Sequence, residues 1–463
     1  MKYLGLPLGA SFKAKTIWVE VLEKLERRLA GWKRLYLSKG GGGGRLTLIK
    51  STLSNLPTYF LSLFPLLASI ASKIEKLQRD FLWSGIGDEF KFHLVGWDKV
   101  CTPLRVAGLG VHNVRLFNQA LLGKWLWHYN YEKETLWRGV IDAKYGSARG
   151  GWYSNEGRGA YGVGLWKHIR KGWGVFARNT RLCMGNGQRI SFWNDVWVGD
   201  TALKAAYPAI FSIAREKDAK VANLWGTTHD AQAWNINLTR EAHDWEVTML
   251  VEFFNLLHNI SPDASTEDKL VWCPSRKGKF LVGSYYKTIT ASPLPNFPWK
   301  SVWRNKAPPK AAFFVWTAAL GKILTIDNLR RHGLIMMDWC CMRKKSGETV
   351  DHLLLHCEFA RDTWNYFFSR MGLAWTMPVR VSELLASWRG ISGTTQIVAI
   401  WKMVPICILW CIWSERNNRH FEDRERSVEE FRGFLWKTLF LWAMALEFNG
   451  LSFHDFLVTF STS

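Results

Sequence analysis

The chain has 463 residues, 48% apolar and 22% charged, a globular composition that excludes an extended disordered tail. Its 61 Lys and Arg against 39 Asp and Glu leave a formal charge of +22, so polyanions are the natural partners, nucleic acid before an acidic membrane surface. The eight cysteines, at 101, 183, 273, 340, 341, 357, 407 and 411, are too sparse for a disulfide scaffold, and residues 1–12 hold no apolar run of signal-peptide length. An intracellular protein, nuclear or cytoplasmic and not secreted, is expected. The 28 Trp exceed the 12 Tyr and 10 Met combined. Most must fill cores, because so many exposed indoles would aggregate.

In chain order, Trp18, Leu22, Leu25, Leu29 and Trp32 recur at three- and four-residue spacing, with Glu23, Lys24, Glu26, Arg27 and Arg28 between them. That pattern predicts an amphipathic helix with a charged outer face. The run Gly40 to Gly44 lacks the Gly-Lys-Ser/Thr ending of a P-loop and reads as a flexible loop. Apolar helices are expected over 46–56, along Ile70, Ile74, Leu77 and Phe81, and over 116–131. Beyond about residue 147 the texture turns to Gly, Trp and short β-like runs. Leu182-Cys183-Met184 and Ile190-Ser191-Phe192-Trp193 flank Gly185-Asn186-Gly187 as a hairpin signal. A helix over 244–258, a short strand over 279–282 and a helix over 311–320 follow. Residues 397–413 are apolar but carry Lys402 and Pro405, and are shorter than the about 20 residues of a spanning helix. They read as a buried helix pair hinged at Pro405, with a membrane span as the alternative.

Three blocks carry a family resemblance. The first is Tyr3-Leu4-Gly5-Leu6-Pro7-Leu8-Gly9 with Gly108-Leu109-Gly110 and Asn118-Gln119-Ala120-Leu121-Leu122-Gly123-Lys124-Trp125. The second is Phe192-Trp193-Asn194-Asp195-Val196-Trp197. The third runs from Trp299 through Ala307-Pro308-Pro309-Lys310 and Phe313-Phe314-Val315-Trp316 to Glu348-Thr349-Val350-Asp351-His352-Leu353 and Cys357, and the chain adds Ile412-Trp413-Ser414-Glu415-Arg416-Asn417. Together they resemble the part of plant LINE-type (non-LTR) retrotransposon polyproteins that follows the reverse transcriptase palm. With the helical spacings, this implies an α+β, mainly α-helical fold in four segments: a thumb-like helical region at 1–146, a Trp- and Gly-rich mixed region at 147–278, the reverse transcriptase zinc-binding domain at 279–370 and C-terminal helices at 371–463.

The resemblance also implies a metal site of pattern Cys-x2-Cys, eight residues, His, four residues, Cys. Thiolates and an imidazole suit tetrahedral zinc. Cys340, His352 and Cys357 fall in register, but Arg343 stands where the second Cys belongs, and a guanidinium cannot ligate. Zinc is therefore the cofactor the resemblance implies, and weak or incomplete binding of it is expected. Cys341, His356, Glu348 or Asp351 are the alternatives for a fourth donor. Two further departures are the five glycines between Lys39 and Arg45, where the family has two, and Ala107, where it has glycine.

No Asp-Asp pair occurs anywhere, so the clustered palm aspartates that hold catalytic Mg²⁺ in a reverse transcriptase are missing and no catalytic residue is expected. The expected function is that of a non-catalytic remnant carrying the zinc-binding domain and holding RNA or DNA through phosphates. Lys33, Arg34, Lys39, Arg45 and Lys50 would act near the N-terminus, and Arg304, Lys306, Lys310, Arg343, Lys344 and Lys345 near the knuckle. No small-molecule substrate is expected. The alternatives are a component of an active RNA-directed DNA polymerase whose palm lies in another chain, a retrotransposon-derived product without function, and a membrane-associated protein.

Overall fold

A computed structural model describes residues 2–3, 6–7, 14–33, 44–83, 92–157, 164–228, 231–291, 297–334, 337–392, 394–445, 454 and 456. Helices dominate and the strands are few and short, as a mainly α-helical α+β fold requires. The chain groups into two compact units, each discontinuous in sequence. One comprises Met1–Ile17, Thr58–Leu67 and Arg115–Ala291; the other comprises Trp18–Pro57, Ala68–Val114 and Ser292–Ser463. Each unit is thus assembled from separate stretches of the chain.

In the first unit, the helix Val114–Tyr131 buries Ala120, Leu122, Leu126 and Tyr129 in an aromatic core with Trp166, Phe176, Trp272 and Tyr285. A second core gathers Phe192, Trp193 and Trp197, with Trp193 stacked on Phe253 of the helix Asp244–His258 at 5.5 Å. The expected hairpin does not form. Thr180–Cys183 pairs antiparallel with the distant Lys269–Trp272 instead. The intervening Gly185 to Arg189 loop is tied down by the buried Asp268, whose carboxylate accepts the N–H groups of Gly185, Gly187 and Arg189 at 2.8–2.9 Å. The strand expected over 279–282 is also absent: Val282 begins the helix Val282–Ile289.

In the second unit, Val19–Lys33 buries Leu25 and Leu29 of the predicted face, with Val21 beside them, and Trp32 meets Phe81 of Ala68–Trp83 at 5.8 Å. Helix Pro309–Ala319 begins with a proline, where a missing N–H costs nothing, and every residue from Ala311 to Ala318 is buried. Its Trp316 indole donates to the Ala107 carbonyl at 2.9 Å. Ala107 itself is buried with φ +66°, in the left-handed region that favours glycine.

Residues 397–413 lie in one continuous helix, Thr395–Phe421, rather than in a pair hinged at Pro405. Proline leaves the carbonyl four residues earlier, that of Trp401, without its helical donor. The Trp388 indole N–H donates to that oxygen at 3.2 Å, while the Trp401 indole donates to the Arg389 carbonyl at 2.7 Å. The two indoles stack at 4.8 Å, so the repair comes from outside the helix and the axis continues through the proline. Among the described residues this is the one helix long and apolar enough to cross a membrane. Its face from Met403 to Leu409 is buried in the unit, with Phe314 against Trp410 and Trp413, and the helix also packs on Val428–Met444.

Candidate metal centre

Cys340, His352 and Cys357 converge, their donor atoms all lying within 4.8 Å of one another. Two local structures bring them there. Cys340 opens a tight turn in which its carbonyl accepts the N–H groups of Arg343 at 3.3 Å and Lys344 at 2.7 Å, while its own N–H donates to Ser346 at 2.6 Å. Lys344 closes that turn with φ +53°. His352 begins a π-helical turn, His352–His356, anchored by the buried Leu353, Leu354 and Leu355. Cys357 follows it, donating its N–H to the His352 carbonyl at 2.6 Å, and is the N-cap of the helix Glu358–Arg370.

The two thiols are buried and their sulfurs lie 3.8 Å apart. They share a proton unequally. Cys357 accepts from the Cys340 thiol, and with His352 and the Phe359 N–H beside it, its pKa falls below the usual thiol value. Cys340, the donor of that bond and buried, is pushed up. A thiolate at a helix N-terminus also faces the positive end of the helix dipole. Two sulfurs and one imidazole, with backbone N–H groups of Met342 and Phe359 at the sulfurs, suit a zinc-like ion as far as three donors go. Bound there, such an ion would cross-link the turn, the π-helical turn and the helix start.

The remaining candidate donors face elsewhere. The Cys341 sulfur lies 3.8 Å from both a Glu348 carboxylate oxygen and the Arg416 carbonyl, and burial followed by the Glu348 charge pushes its pKa up to about 11. Glu348, fully buried, takes the Arg416 guanidinium at 2.7 and 3.2 Å and the Ile326 N–H at 3.1 Å. Asp351 accepts the Val381 N–H at 2.9 Å, and the His356 ring is hydrogen-bonded to the Val379 carbonyl at 2.9 Å. Arg343 is exposed and turned toward Glu358, 3.9 Å away, which Lys345 also approaches at 3.1 Å.

The long helix Thr395–Phe421 supports the centre from behind. Besides Arg416 on Glu348, Arg419 donates to the Met342 carbonyl inside the turn at 3.2 Å. Glu415 holds Arg419 at 2.9 Å and Arg426 at 2.7 Å. Burial raises the Glu415 pKa, but the Arg426 N–H and the two guanidiniums outweigh it and hold the carboxyl below its usual range. The block from Ile412 to Asn417 carried a resemblance in the sequence but no role; here Glu415 and Arg416 are the buried ionic tie to the centre.

The predicted phosphate contacts divide. Arg304, Lys306, Lys310, Arg343, Lys344 and Lys345 are all exposed, with Arg304 over the Trp299 ring and Lys310 over Trp410. Arg45 is buried at 9% exposure and Lys50 is half-buried, its pKa lowered by burial. Both ride on the turn that buries Leu46, Ile49 and Leu53, which removes Arg45 from the exposed cations. Arg34, Lys39 and the Lys33 side chain lie outside the described residues, as does most of the five-glycine run. Trp316 is core, and Trp299 and Trp303 are half-buried.

Residues 280–364 match the family described as zinc-binding in reverse transcriptase, a stretch containing all three donors. The chain is 28% identical over 444 residues to an Arabidopsis thaliana protein provisionally named a ribonuclease H protein, covering 90% of this chain and 67% of that one. It is also 28% identical over 147 residues to an uncharacterized mitochondrial protein of Arabidopsis thaliana, covering 31% of this chain and 94% of that protein.

Proposed function

We propose that this chain, a relative of retrotransposon reverse transcriptases that carries their zinc-binding region, is a non-catalytic nucleic-acid-binding protein whose Cys340, His352 and Cys357 hold zinc incompletely. The observation that carries the reading is the placement of three exposed cations, Arg343, Lys344 and Lys345, on the turn that also presents Cys340, within a molecule of net charge +22. Phosphate oxygens are the groups such a surface attracts, with little regard to base sequence. Ordering of the turn by a metal would fix where those cations stand. The lack of any Asp-Asp pair supports a chain that grips a template without extending it.

The test is binding of single-stranded RNA and of an RNA–DNA hybrid by the whole chain across a salt series. Affinity should fall steeply between about 50 and 200 mM salt, because each neutralised phosphate releases a counterion. Affinity indifferent to salt would refute the phosphate mechanism, and primer extension above a protein-free blank would refute the non-catalytic part.

A further inference from the structure

We infer that the metal centre is a three-donor site whose remaining coordination position is open to an exogenous small thiolate, which displaces water there. This rests on the zinc reading above and adds the identity of the fourth ligand. Zinc favours four donors, and when the protein supplies three the fourth place goes to solvent or to an incoming ligand. Each of the four alternatives for a fourth donor is bonded to another partner. Cys341 points at Glu348 and the Arg416 carbonyl. Glu348 is saturated by the Arg416 guanidinium and the Ile326 N–H, and moving it would strand a buried cation. Asp351 caps Val381, and His356 is tied to Val379. Arg343, which occupies the position of the pattern's second Cys, faces outward to Glu358. Cys340 and Cys357 are buried, while His352 is half-buried, so the imidazole is the most exposed member of the trio.

The full chain, stripped of metal and given one equivalent of Co²⁺, reports both coordination number and sulfur count in its visible and near-ultraviolet spectrum. Cys183 and Cys273 are exposed thiols, so a Cys357→Ser variant supplies the background to be subtracted. Wild type should give a tetrahedral cobalt spectrum whose sulfur-to-metal absorption rises roughly 1.5-fold on adding 2-mercaptoethanol, as two thiolates become three. Arg343→Cys, an exposed substitution, should show the higher intensity from the start and not respond to the added thiol. A tetrahedral wild-type spectrum that ignores 2-mercaptoethanol would overturn this inference and leave the zinc reading standing, since a protein donor would already complete the site. No cobalt spectrum in wild type above the Cys357→Ser background would overturn the zinc reading and this inference with it.

Discussion

Ala107 is a single methyl group in an unfavourable place. Its backbone sits at φ +66°, ψ +19°, where a side chain costs about 1–2 kcal/mol that glycine does not incur. The carbonyl of that same residue receives the buried Trp316 indole, so the backbone cannot relax without breaking the bond. Ala107→Gly should therefore stabilise the chain, by about 0.5–1 kcal/mol after the extra flexibility glycine gives the unfolded state. Urea unfolding of the two proteins measures the difference; a less stable glycine variant would show that the buried methyl contributes more by packing than it costs in strain. Glycine is what the family resemblance places at this position, and the left-handed backbone is the physical reason.

At the scale of one helix, Pro405 and Trp388 form a compensated pair. Removing the indole by Trp388→Phe leaves the Trp401 carbonyl buried without a donor, at a cost of about 1–3 kcal/mol. In a Pro405→Ala background, residue 405 again has an N–H to offer that carbonyl, so the same Trp388→Phe change should cost less. A double-mutant cycle by chemical denaturation gives the coupling directly, and equal costs in both backgrounds would mean that Trp388 acts by packing alone. The helix period over residues 18–32, 116–131 and 244–258 was legible because each apolar face answers to local spacing. What happens at Pro405 was not legible, since the donor comes from a loop residue seventeen positions earlier, by direct count. For the same reason the Gly185 to Gly187 turn misled: Asp268 and the strand beside it, far along the chain, decide what that turn joins.

Taken as a whole, the metal centre was legible in its three donors and illegible in everything that keeps other donors away. The donors are legible because Cys340, His352 and Cys357 fall on the metal pattern that the resemblance implies, and thiolates with an imidazole suit zinc. That Cys341, Asp351 and His356 are spoken for depends on Arg416, Val381 and Val379, which no spacing rule connects to them. Arg416 is the strongest of these ties. Arg416→Ala would leave Glu348 charged and buried without a partner, a loss of about 3–5 kcal/mol, whereas replacing both as Arg416→Met with Glu348→Leu should recover much of it. Thermal or urea unfolding distinguishes the two, and a double variant no better than Arg416→Ala would show that the pair's other bonds, to Ile326 and the Cys341 thiol, matter more than its charge. The spacing of this pair also sets an order of events on the ribosome. Arg416 is translated 68 residues after Glu348, on the order of ten seconds later at ordinary elongation rates. From Cys357 onward, which is most of that interval, the nascent chain already carries all three metal donors while Glu348 has no guanidinium to hold it, so Glu348 and Cys341 are free to compete for an ion that the finished fold denies them.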